Sequence, residues 1–542
     1  MLKIWRRSRI LISIARRSGR STCQRSHTAH VAAKFAQWDA GFRVRIVKVH
    51  IYFHTMNPPV HSLSALTTDL YEVTMACGYW KAGVSDHEAA FHITFRQNPF
   101  AGEFTITSGL ASVIGLVREF YFHETDIAYL ASQRGNDGKP LFEDAFLEHL
   151  RALRLTCDID AVPEGTMVFP YEPLIRICGP IIQCQLLETA LLNLLNFQSL
   201  IATKAARVCL AAQNDAVIEF GLRRAQGPDG GLSASRAAYI GGCAGTSNLL
   251  AGERYDIPVS GTQAHSWIMF FESETEAFQT YARALPNNCV FLVDTYNSLE
   301  GVGRAIDVAK QLRRDGHELI GVRLDSGDCV ALSIEARKML DEAGFREAKI
   351  VCSGGLDEFA IADMKSRGAK IDIWGVGTKL ATGQPDAALD GIYKLGAVRR
   401  PGEQWRYRIK LSDEPDKTSC PGLLQVRRFC DRDGKFISDA IYEIHHAISE
   451  RCVVVDLTSS AHREIPNGIA YSDLLVPIFR RGELVYSVPE VHKAREHART
   501  QLGSAPDGVI KLHNPSHYDV GLERSLNELR TRSIAEAGQQ PQ

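Results

Sequence analysis

The chain has 542 residues, of which 45% are hydrophobic and 23% are charged, and its formal net charge at pH 7 is −1. This is the composition of an ordinary globular protein with room for two or three domains, and it excludes a disordered or fibrous chain. Residues 1–55 contain twelve Lys and Arg but one acidic residue, so the remainder holds 50 basic and 62 acidic residues. An acidic body of this kind argues against general nucleic-acid binding.

Cysteine usage argues against a zinc module, and hydropathy argues against a membrane-spanning protein. The thirteen cysteines are scattered and odd in number, which favours reduced thiols in an intracellular protein. Those around Cys420 lack the CxxC pairing of a zinc module. The most apolar segment, residues 174–202, is interrupted by charged and polar side chains. Among them are Arg176, Gln183, Gln185, Glu188, Asn193 and Asn196. A membrane span would not accommodate them cheaply, so we expect no membrane association.

Residues 1–56 are predicted to be a basic extension. Their Arg-rich and Ser-rich composition, with an apolar and basic rhythm over residues 2–12, is typical of a mitochondrial presequence. The alternative is that translation begins at Met56 and that the upstream part is an over-extended start. We favour this alternative because residues 38–55 lose the rhythm. In both cases we expect the extension to be poorly ordered. A cytoplasmic location follows unless the presequence is real.

Residues 57–205 are predicted to form an N-terminal α+β domain. Thr68 or Asp69 caps a first helix that ends near Gly83. Its predicted apolar face consists of Leu70, Val73 and Tyr79. Two segments of alternating polarity, 89–95 and 103–107, flank a Pro-containing and Gly-containing turn and predict a β-hairpin. Further helices are predicted over residues 111–122, 140–152 and 183–206.

Residues 206–400 show a different pattern, in which short apolar runs alternate with helical segments. The strand-like runs are 217–220, 257–260, 290–293, 319–322, 349–352 and 371–374. The intervening helices include 303–314, 329–344 and 357–366. A strand that recurs in this way, with a helix between, predicts βα units and a parallel sheet.

Most of the unusual polar residues follow the C-terminal ends of these runs, where a βα-barrel forms its catalytic mouth. We therefore predict an irregular βα-barrel of six or more strands. No Gly-x-Gly-x-x-Gly motif follows a strand, so a dinucleotide site has no support. Residues 401–542 become polar and strand-like again. We expect them to pack back on the N-terminal segment, giving one α+β domain built from both ends of the chain.

The predicted mouth collects groups suited to a phosphorylated sugar. Two turns of small residues, Ser353–Gly355 and Gly375–Thr378, can hold a phosphate monoester with backbone N–H groups. Three carboxylates and three arginines share this edge. They are Asp294, Asp325, Asp328, Arg223, Arg224 and Arg323. Such carboxylates can position Mg²⁺, and such arginines bind carboxylates or phosphates. With His265 as the candidate chemical centre, this set meets the needs of a phosphoribosyl diphosphate site.

Six motifs lie in order between residues 66 and 522. They are Thr68–Tyr71, Phe220–Gly231, Gly245–Asn248, Gly261–Ser266, Val293–Tyr296 and Val322–Asp328. All six resemble motifs of the nicotinate phosphoribosyltransferase family. The resemblance implies a type II phosphoribosyltransferase-like barrel and an enzyme that converts nicotinate and 5-phosphoribosyl 1-diphosphate to nicotinate mononucleotide and diphosphate, in NAD biosynthesis. It also implies ATP hydrolysis through a transient phosphohistidine, Mg²⁺ or Mn²⁺, and a homodimer with shared active sites.

The resemblance and the residue chemistry together assign roles to single residues. His265 matches the phosphorylated histidine, and Tyr71 matches a tyrosine that reaches into the partner subunit's site. The predicted catalytic residues are His265, Arg323 and Asp325. The predicted nicotinate contacts are Tyr71, Phe220, Ser247, Thr262 and Arg323. The predicted phosphoribosyl diphosphate contacts are Arg223, Asp294, Ser353, Gly354, Gly355, Gly375, Gly377 and Thr378. The predicted metal ligands are Asp294 and Asp325.

Ser247 bears on substrate choice. Related nicotinamide enzymes carry an aspartate at this motif position, which accepts a hydrogen bond from an amide and repels a carboxylate. A serine fits the acid, so we predict a strong preference for nicotinate over nicotinamide. Two alternatives remain open at this stage. One is a quinolinate phosphoribosyltransferase, which would need extra cations for its second carboxylate, and the other is a non-catalytic metabolite sensor on the same fold.

Overall fold

The structure, a computed structural model, describes residues 64–538 except 413, 415–416, 447, 449–451 and 458–460. The predictions made for the basic extension, including the choice between Met1 and Met56 as the start, lie outside the described residues. Within the described part of the chain, no helix is long and apolar enough to cross a membrane.

The N-terminal segment combines short helices with strands of a large antiparallel sheet. Its elements are α1 (Leu70–Lys81), β1 (Glu88–Phe95), β2 (Thr105–Ile106), α2 (Leu110–Arg118), α3 (Glu124–Ser132), α4 (Asp144–Ala152), β3 (Asp158–Ala161), β4 (Met167–Val168), β5 (Ile175–Pro180), α5 (Ile181–Leu186) and α6 (Glu188–Ala212). The first helix forms where it was predicted, but its inward face differs. Val73 is buried, whereas Leu70 is 57% exposed.

The predicted hairpin between residues 89 and 107 is wrong. Strand β1 pairs with β5 on one side and with a strand near residue 395 on the other, both antiparallel. Strand β2 instead pairs with β4. Because β1 is buried over most of its length, it serves as an inner strand, and both of its edges are taken by segments distant in sequence. Local alternation of polarity does not reveal such long-range pairing.

The middle of the chain forms the βα units. Its elements are β6 (Ala216–Glu219), α7 (Gly227–Ile240), β7 (Gly245–Thr246), α8 (Leu249–Tyr255), α9 (His265–Phe270), α10 (Glu274–Ala284), β8 (Val290–Leu292), α11 (Ser298–Arg314), β9 (Gly321–Leu324), α12 (Cys329–Glu342), β10 (Lys349–Ser353), α13 (Glu358–Ser366), β11 (Ile373–Val376) and α14 (Thr378–Ala381). Six parallel strands hydrogen-bond in the order β7-β6-β11-β10-β9-β8. The predicted strand at residues 257–260 is reduced to one parallel bridge, between Val259 and Thr246.

The βα loops show why the helices start where they do. Five of these helices begin at a side chain that accepts a backbone N–H of the first turn. The capping residues are Asn248, Ser273, Asn297, Asp328 and Asp357. Each cap satisfies a donor that the helix itself cannot, and this stabilises a sharp change from strand to helix. The result is the predicted irregular βα-barrel, with its loops gathered at the carboxyl ends of the strands.

The C-terminal segment returns to the N-terminal one. Its elements are β12 (Gly391–Arg399), β13 (Arg406–Tyr407), β14 (Leu424–Cys430), β15 (Phe436–Glu443), β16 (Cys452–Asp456), β17 (His462–Ile465), β18 (Ala470–Asp473), β19 (Val476–Arg480), β20 (Glu483–Leu484), α15 (Val491–Ser504), β21 (Val520–Glu523) and α16 (Arg524–Gly538). One antiparallel sheet mixes strands from both ends of the chain, in the order β13-β12-β1-β5-β3-β19-β20. This confirms the predicted α+β domain built from both segments.

Buried charged groups hold these two segments together. Arg428 is fully buried, pairs with Asp439 and donates a hydrogen bond of 2.8 Å to the carbonyl oxygen of Met167. Glu172, also fully buried, lies beside Asp439. Burial raises the pKa of Glu172 well above its ordinary value, and the neighbouring Asp439 carboxylate raises it further. One guanidinium thus faces two carboxyl groups, and the pKa of one of them, Glu172, is raised.

Candidate active site

A cavity of about 360 Å³ opens at the carboxyl ends of the barrel strands. Parallel pairing brings these ends together, since Leu292 of β8 aligns with Arg323 of β9, and Arg323 aligns with Val351 of β10. The predicted site residues that line the cavity are Phe220, Arg223, Ser247, Thr262, His265, Arg323 and Asp325. Segments separated by about a hundred residues therefore meet as predicted.

Arg323 is the hub of the site. Its Nε donates to Ser353 Oγ at 2.8 Å, its Nη1 to Thr262 Oγ1 at 2.8 Å, and its Nη2 to Asp325 Oδ1 at 2.8 Å. The guanidinium carbon also lies 5.7 Å from the centre of the Phe220 ring. A planar group held at three corners has little freedom, so Arg323 presents a fixed positive charge beside an aromatic face.

Asp325 is the carboxylate at the centre of this network. Burial by itself would raise the pKa of Asp325, but the hydrogen bond from Ser353 and the adjacent Arg323 charge outweigh it and lower the pKa below its ordinary value. Asp325 Oδ2 lies 3.7 Å from His265 Nε2. The carboxylate therefore stays ionised and within reach of the imidazole at neutral pH.

His265 opens the short helix α9, and 42% of its side chain is exposed. Its Nδ1 lies 3.2 Å from Thr295 Oγ1, on the loop after β8. The imidazole is thus held from one side by a hydroxyl and faced by Asp325 on the other. This arrangement orients the ring while leaving it open to a ligand in the cavity.

Asp294 lies against the backbone of Asp325 and the side chain of Ser326. Its Oδ2 accepts hydrogen bonds from the Asp325 N–H at 3.0 Å and from Ser326 Oγ at 2.5 Å. Its Oδ1 is buried and has no hydrogen-bond partner among the described residues. An unsatisfied carboxylate oxygen fits a divalent cation, and Mg²⁺ commonly takes one or two protein carboxylates together with substrate phosphates. The third predicted carboxylate, Asp328, instead caps α12 and pairs with Arg367 at 3.6 Å.

Phe220, Ser247 and Thr262 form the aromatic side of the cavity. The Phe220 ring packs on Gly375, where an added Cβ would lie 2.5 Å from a ring carbon. Glycine is therefore required at position 375 by this close approach.

The two small-residue turns lie next to the cavity but do not line it. Gly354 has φ +95° and packs on the Asp325 carbonyl oxygen, 2.2 Å from the position of an added Cβ. Gly355 also has positive φ, +67°. Gly377 precedes the four-residue helix α14, and Thr378 is its exposed first residue. The phosphate-binding role of these turns stays a prediction.

Tyr71 is placed apart from the other predicted nicotinate contacts. It lies on α1, is 47% exposed and does not line the cavity of its own chain. Burial raises the pKa of its hydroxyl above the ordinary value, and the neighbouring carboxylates of Glu72 and Glu188 raise it further. Arg224 likewise stays outside the lining, on the exposed turn Leu222–Arg224 that carries Arg223 into it.

Sequence reasoning does not identify two side chains that hold this site. Thr295, which contacts His265, follows Asp294 in one motif, and Glu219 lies immediately before the motif that begins at Phe220. Their proximity to motif residues was an available signal. Nothing in a local pattern, however, indicates which distant group each one contacts.

Comparisons with known proteins agree with this geometry. Residues 66–196 match the nicotinate phosphoribosyltransferase (NAPRTase) N-terminal domain, residues 216–420 the NAPRTase family, and residues 424–530 the C-terminal domain. A nicotinate phosphoribosyltransferase of Bacillus subtilis is 39% identical over an alignment of 478 positions that covers 87% of this chain and 95% of the relative.

Solved structures give the same result. The crystal structure of human nicotinic acid phosphoribosyltransferase is 31% identical, with a TM-score of 0.75 over 86% of this chain and 99% of that chain. A nicotinate-nucleotide pyrophosphorylase from Pyrococcus furiosus, 23% identical with a TM-score of 0.62 over 81% of this chain and 95% of that chain, shows likeness of fold alone. By sequence over most of its length and by fold, this chain belongs to the nicotinate phosphoribosyltransferase family.

Proposed function

We propose that the protein joins nicotinate to 5-phosphoribosyl 1-diphosphate, giving nicotinate mononucleotide and diphosphate in NAD biosynthesis. The observation that carries this proposal is the Arg323 hub, which places one fixed cation against the Phe220 ring and beside Thr262 and Asp325. A planar aromatic acid needs this combination of an aromatic face and donors for its carboxylate. Membership of the family supports the same reaction.

The residues of the cavity suit each part of the reaction. Arg323 and Thr262 bind the pyridine carboxylate and orient the ring, and Phe220 covers one ring face. The ionised Asp325 supplies negative charge where positive charge develops on the ribose as the bond to diphosphate lengthens. Arg223 and the two small-residue turns are proposed to bind the phosphates. Except for the two turns, which lie beside the cavity, the residues assigned these roles line one cavity.

A divalent cation fits the carboxylates at the base of the site. Asp294, with its unsatisfied Oδ1, and Asp325 are the proposed ligands of Mg²⁺ or Mn²⁺. Within the described residues, no cluster of three or more His, Cys, Asp or Glu side chains could hold a metal ion. Phosphate oxygens of the substrate are therefore the natural remaining ligands. When bound, the cation would neutralise the charge of the departing diphosphate.

We propose that ATP acts through His265. Transfer of the γ-phosphoryl group of ATP to an imidazole nitrogen forms a phosphohistidine and releases ADP, and water later hydrolyses it to phosphate. The half-exposed ring, held by Thr295 and faced by Asp325, is oriented for such a transfer. The added negative charge would shift the positions of nearby loops and the affinities for substrates and products.

The proposed homodimer explains why Tyr71 lies outside its own cavity. Its helix α1 exposes three neighbouring apolar side chains to solvent. These are Leu70, Tyr71 and Met75. An exposed aromatic on such a face suits a subunit interface, where Tyr71 would complete the nicotinate site of the partner subunit.

A comparison of three pyridine substrates, each supplied separately, tests the reaction directly. Purified protein is incubated with 5-phosphoribosyl 1-diphosphate, Mg²⁺ and one of nicotinate, nicotinamide or quinolinate, and the products are identified by mass. We expect nicotinate mononucleotide from nicotinate and little product from the other two. Product from quinolinate alone would contradict the proposal, as would absence of product from all three. The second of these results would favour a sensor on this fold.

A further inference from the structure

A buried carboxylate lies directly behind the cavity. Glu219, the last residue of β6, is 1% exposed. Its Oε1 accepts the backbone N–H of Gly221. Its Oε2 accepts hydrogen bonds from Ser235 Oγ at 2.9 Å and from Thr246 Oγ1 at 2.6 Å. Within the described part of the chain, each of these donors is neutral, so three dipoles converge on one buried carboxyl group.

A carboxyl group accepts from all three groups that face it, a backbone N–H and two hydroxyls. A glutamine has the same shape, but its NH₂ group must face either the Gly221 N–H, which can only donate, or the two hydroxyls, which must then turn to accept. Because both hydroxyls also accept hydrogen bonds from Asn248, either outcome disturbs the network and shifts the backbone or the side chains locally.

The hydrogen-bond network of Glu219 reaches two residues that line the cavity, Phe220 and Ser247. On one side, Phe220 is linked directly to Glu219 and to Gly221, two residues that the carboxylate fixes relative to each other. On the other side, the Ser247 N–H donates to the Glu219 carbonyl oxygen at 2.9 Å. Ser247 is also flanked by Thr246, a network member.

Further hydrogen bonds fix Asn248, the residue that follows Ser247. The Asn248 N–H donates to Thr246 Oγ1 at 3.0 Å, and Asn248 Nδ2 donates to Ser235 Oγ at 3.2 Å. The Asn248 side chain also caps α8. The chain is therefore held immediately before and after Ser247, and both attachments lead back to the carboxylate of Glu219.

We propose that Glu219 is a positioning residue that sets the separation of Phe220 and Ser247, and thereby the affinity and selectivity for the pyridine acid. This inference rests on the proposed function. A ring that packs on Phe220 while its carboxylate passes Ser247 is sensitive to shifts of a fraction of an ångström in either residue. Of the two turns proposed to bind phosphate, Ser353–Gly355 follows β10, which does not adjoin β6, whereas Gly375 on β11 packs on Phe220. The effect of Glu219 should therefore be larger for nicotinate than for phosphoribosyl diphosphate.

Three variants test this inference. Glu219→Gln replaces the carboxyl group by an amide of the same shape, and Thr246→Val removes one donor to the same carboxyl group with a smaller disturbance. Glu164→Gln is the matched control. Glu164 is an equally buried glutamate that accepts from the Gly109 N–H and from Arg236, but it does not line the cavity. The measurements are KM for each substrate, the ratio of kcat/KM for nicotinate and nicotinamide, and Tm.

We expect Glu219→Gln to raise KM for nicotinate by about ten-fold and to lower the nicotinate preference, with KM for phosphoribosyl diphosphate changed by less than about two-fold. Thr246→Val should act in the same direction by about three-fold. Glu164→Gln should lower Tm and leave both KM values within about two-fold of wild type.

If the wild type uses nicotinate, two results would overturn this inference and leave the proposed function standing. One is an unchanged KM for nicotinate in folded Glu219→Gln and Thr246→Val. The other is an equal rise in both KM values, which would indicate general damage to the structure. A wild-type protein that does not use nicotinate would instead overturn the proposed function, and this inference with it.

Discussion

Replacement of Arg323 by lysine is the sharpest test of the site geometry. Lysine keeps a positive charge, but its ammonium group cannot reach Ser353, Thr262 and Asp325 simultaneously as the guanidinium does. If the charge stays at Asp325, the hydrogen bonds to the other two residues are lost. The cation also leaves its position over the Phe220 ring.

The size of the effect follows from these losses. Two hydrogen bonds of about 1–1.5 kcal/mol each give a loss of about 2–3 kcal/mol. At 1.36 kcal/mol for each factor of ten, kcat/KM for nicotinate should fall about 30- to 150-fold. The assay is initial-rate kinetics with nicotinate as the varied substrate and phosphoribosyl diphosphate at saturation. Circular dichroism and Tm establish that the variant is folded.

Arg337→Lys is the matched control for this substitution. Arg337 is similarly buried and also uses its guanidinium for three contacts, with Asp341, Ala348 and Phe345, but it lies outside the cavity. This variant should lose stability while its kcat/KM stays within about two-fold of wild type. A folded Arg323→Lys protein whose kcat/KM is also within about two-fold of wild type would refute the role of Arg323 as the hub of the site.

Three further outcomes are expected. Ser247→Asp should lower kcat/KM for nicotinate by at least about ten-fold and narrow the gap to nicotinamide, because it adds a like charge near the carboxylate; an unchanged ratio would contradict the assignment. Since the Ser353 hydroxyl helps to lower the pKa of Asp325, Ser353→Ala should move the acid limb of the pH profile of kcat/KM to higher pH; an unmoved limb would show that Asp325 does not limit activity. The raised pKa of Glu172 means that the folded state retains a proton which the unfolded state loses, so its stabilising contribution is present at acid pH and is lost as pH rises through the folded pKa. Glu172→Gln should weaken this dependence of Tm on pH, and an identical pH profile of Tm would argue against proton retention.

The sequence predicts the barrel because its signals are local. Runs such as Lys349–Ser353 are rich in apolar and β-branched residues, and a polar residue a few positions later, here Asp357, caps the next helix. The same rule places Phe220 and Arg323 at one edge, since parallel strands share the direction of their carboxyl ends. Cavity residues on strand ends are therefore predictable without knowledge of which strands are neighbours.

Long-range contacts were not predictable in this way. The segment 89–95 alternates like a hairpin strand, but it pairs with residues about ninety and three hundred positions away. The segment 257–260 looks like a barrel strand, yet it makes a single bridge, because β7 beside it is only two residues long. The roles of Glu219 and Thr295 depend on which side chains meet in space. Pairing between distant segments determines those contacts, and local periodicity does not contain that information.

Turnover of nicotinate with phosphoribosyl diphosphate and Mg²⁺, with and without ATP, tests the central claim most directly when the wild type is compared with His265→Ala. We expect nicotinate mononucleotide from the wild type, a faster rate with ATP, and a residual rate in His265→Ala that ATP does not change. Equal stimulation of the two proteins by ATP would contradict the proposed phosphohistidine. Absence of nicotinate mononucleotide from folded wild-type protein would contradict the proposed reaction itself.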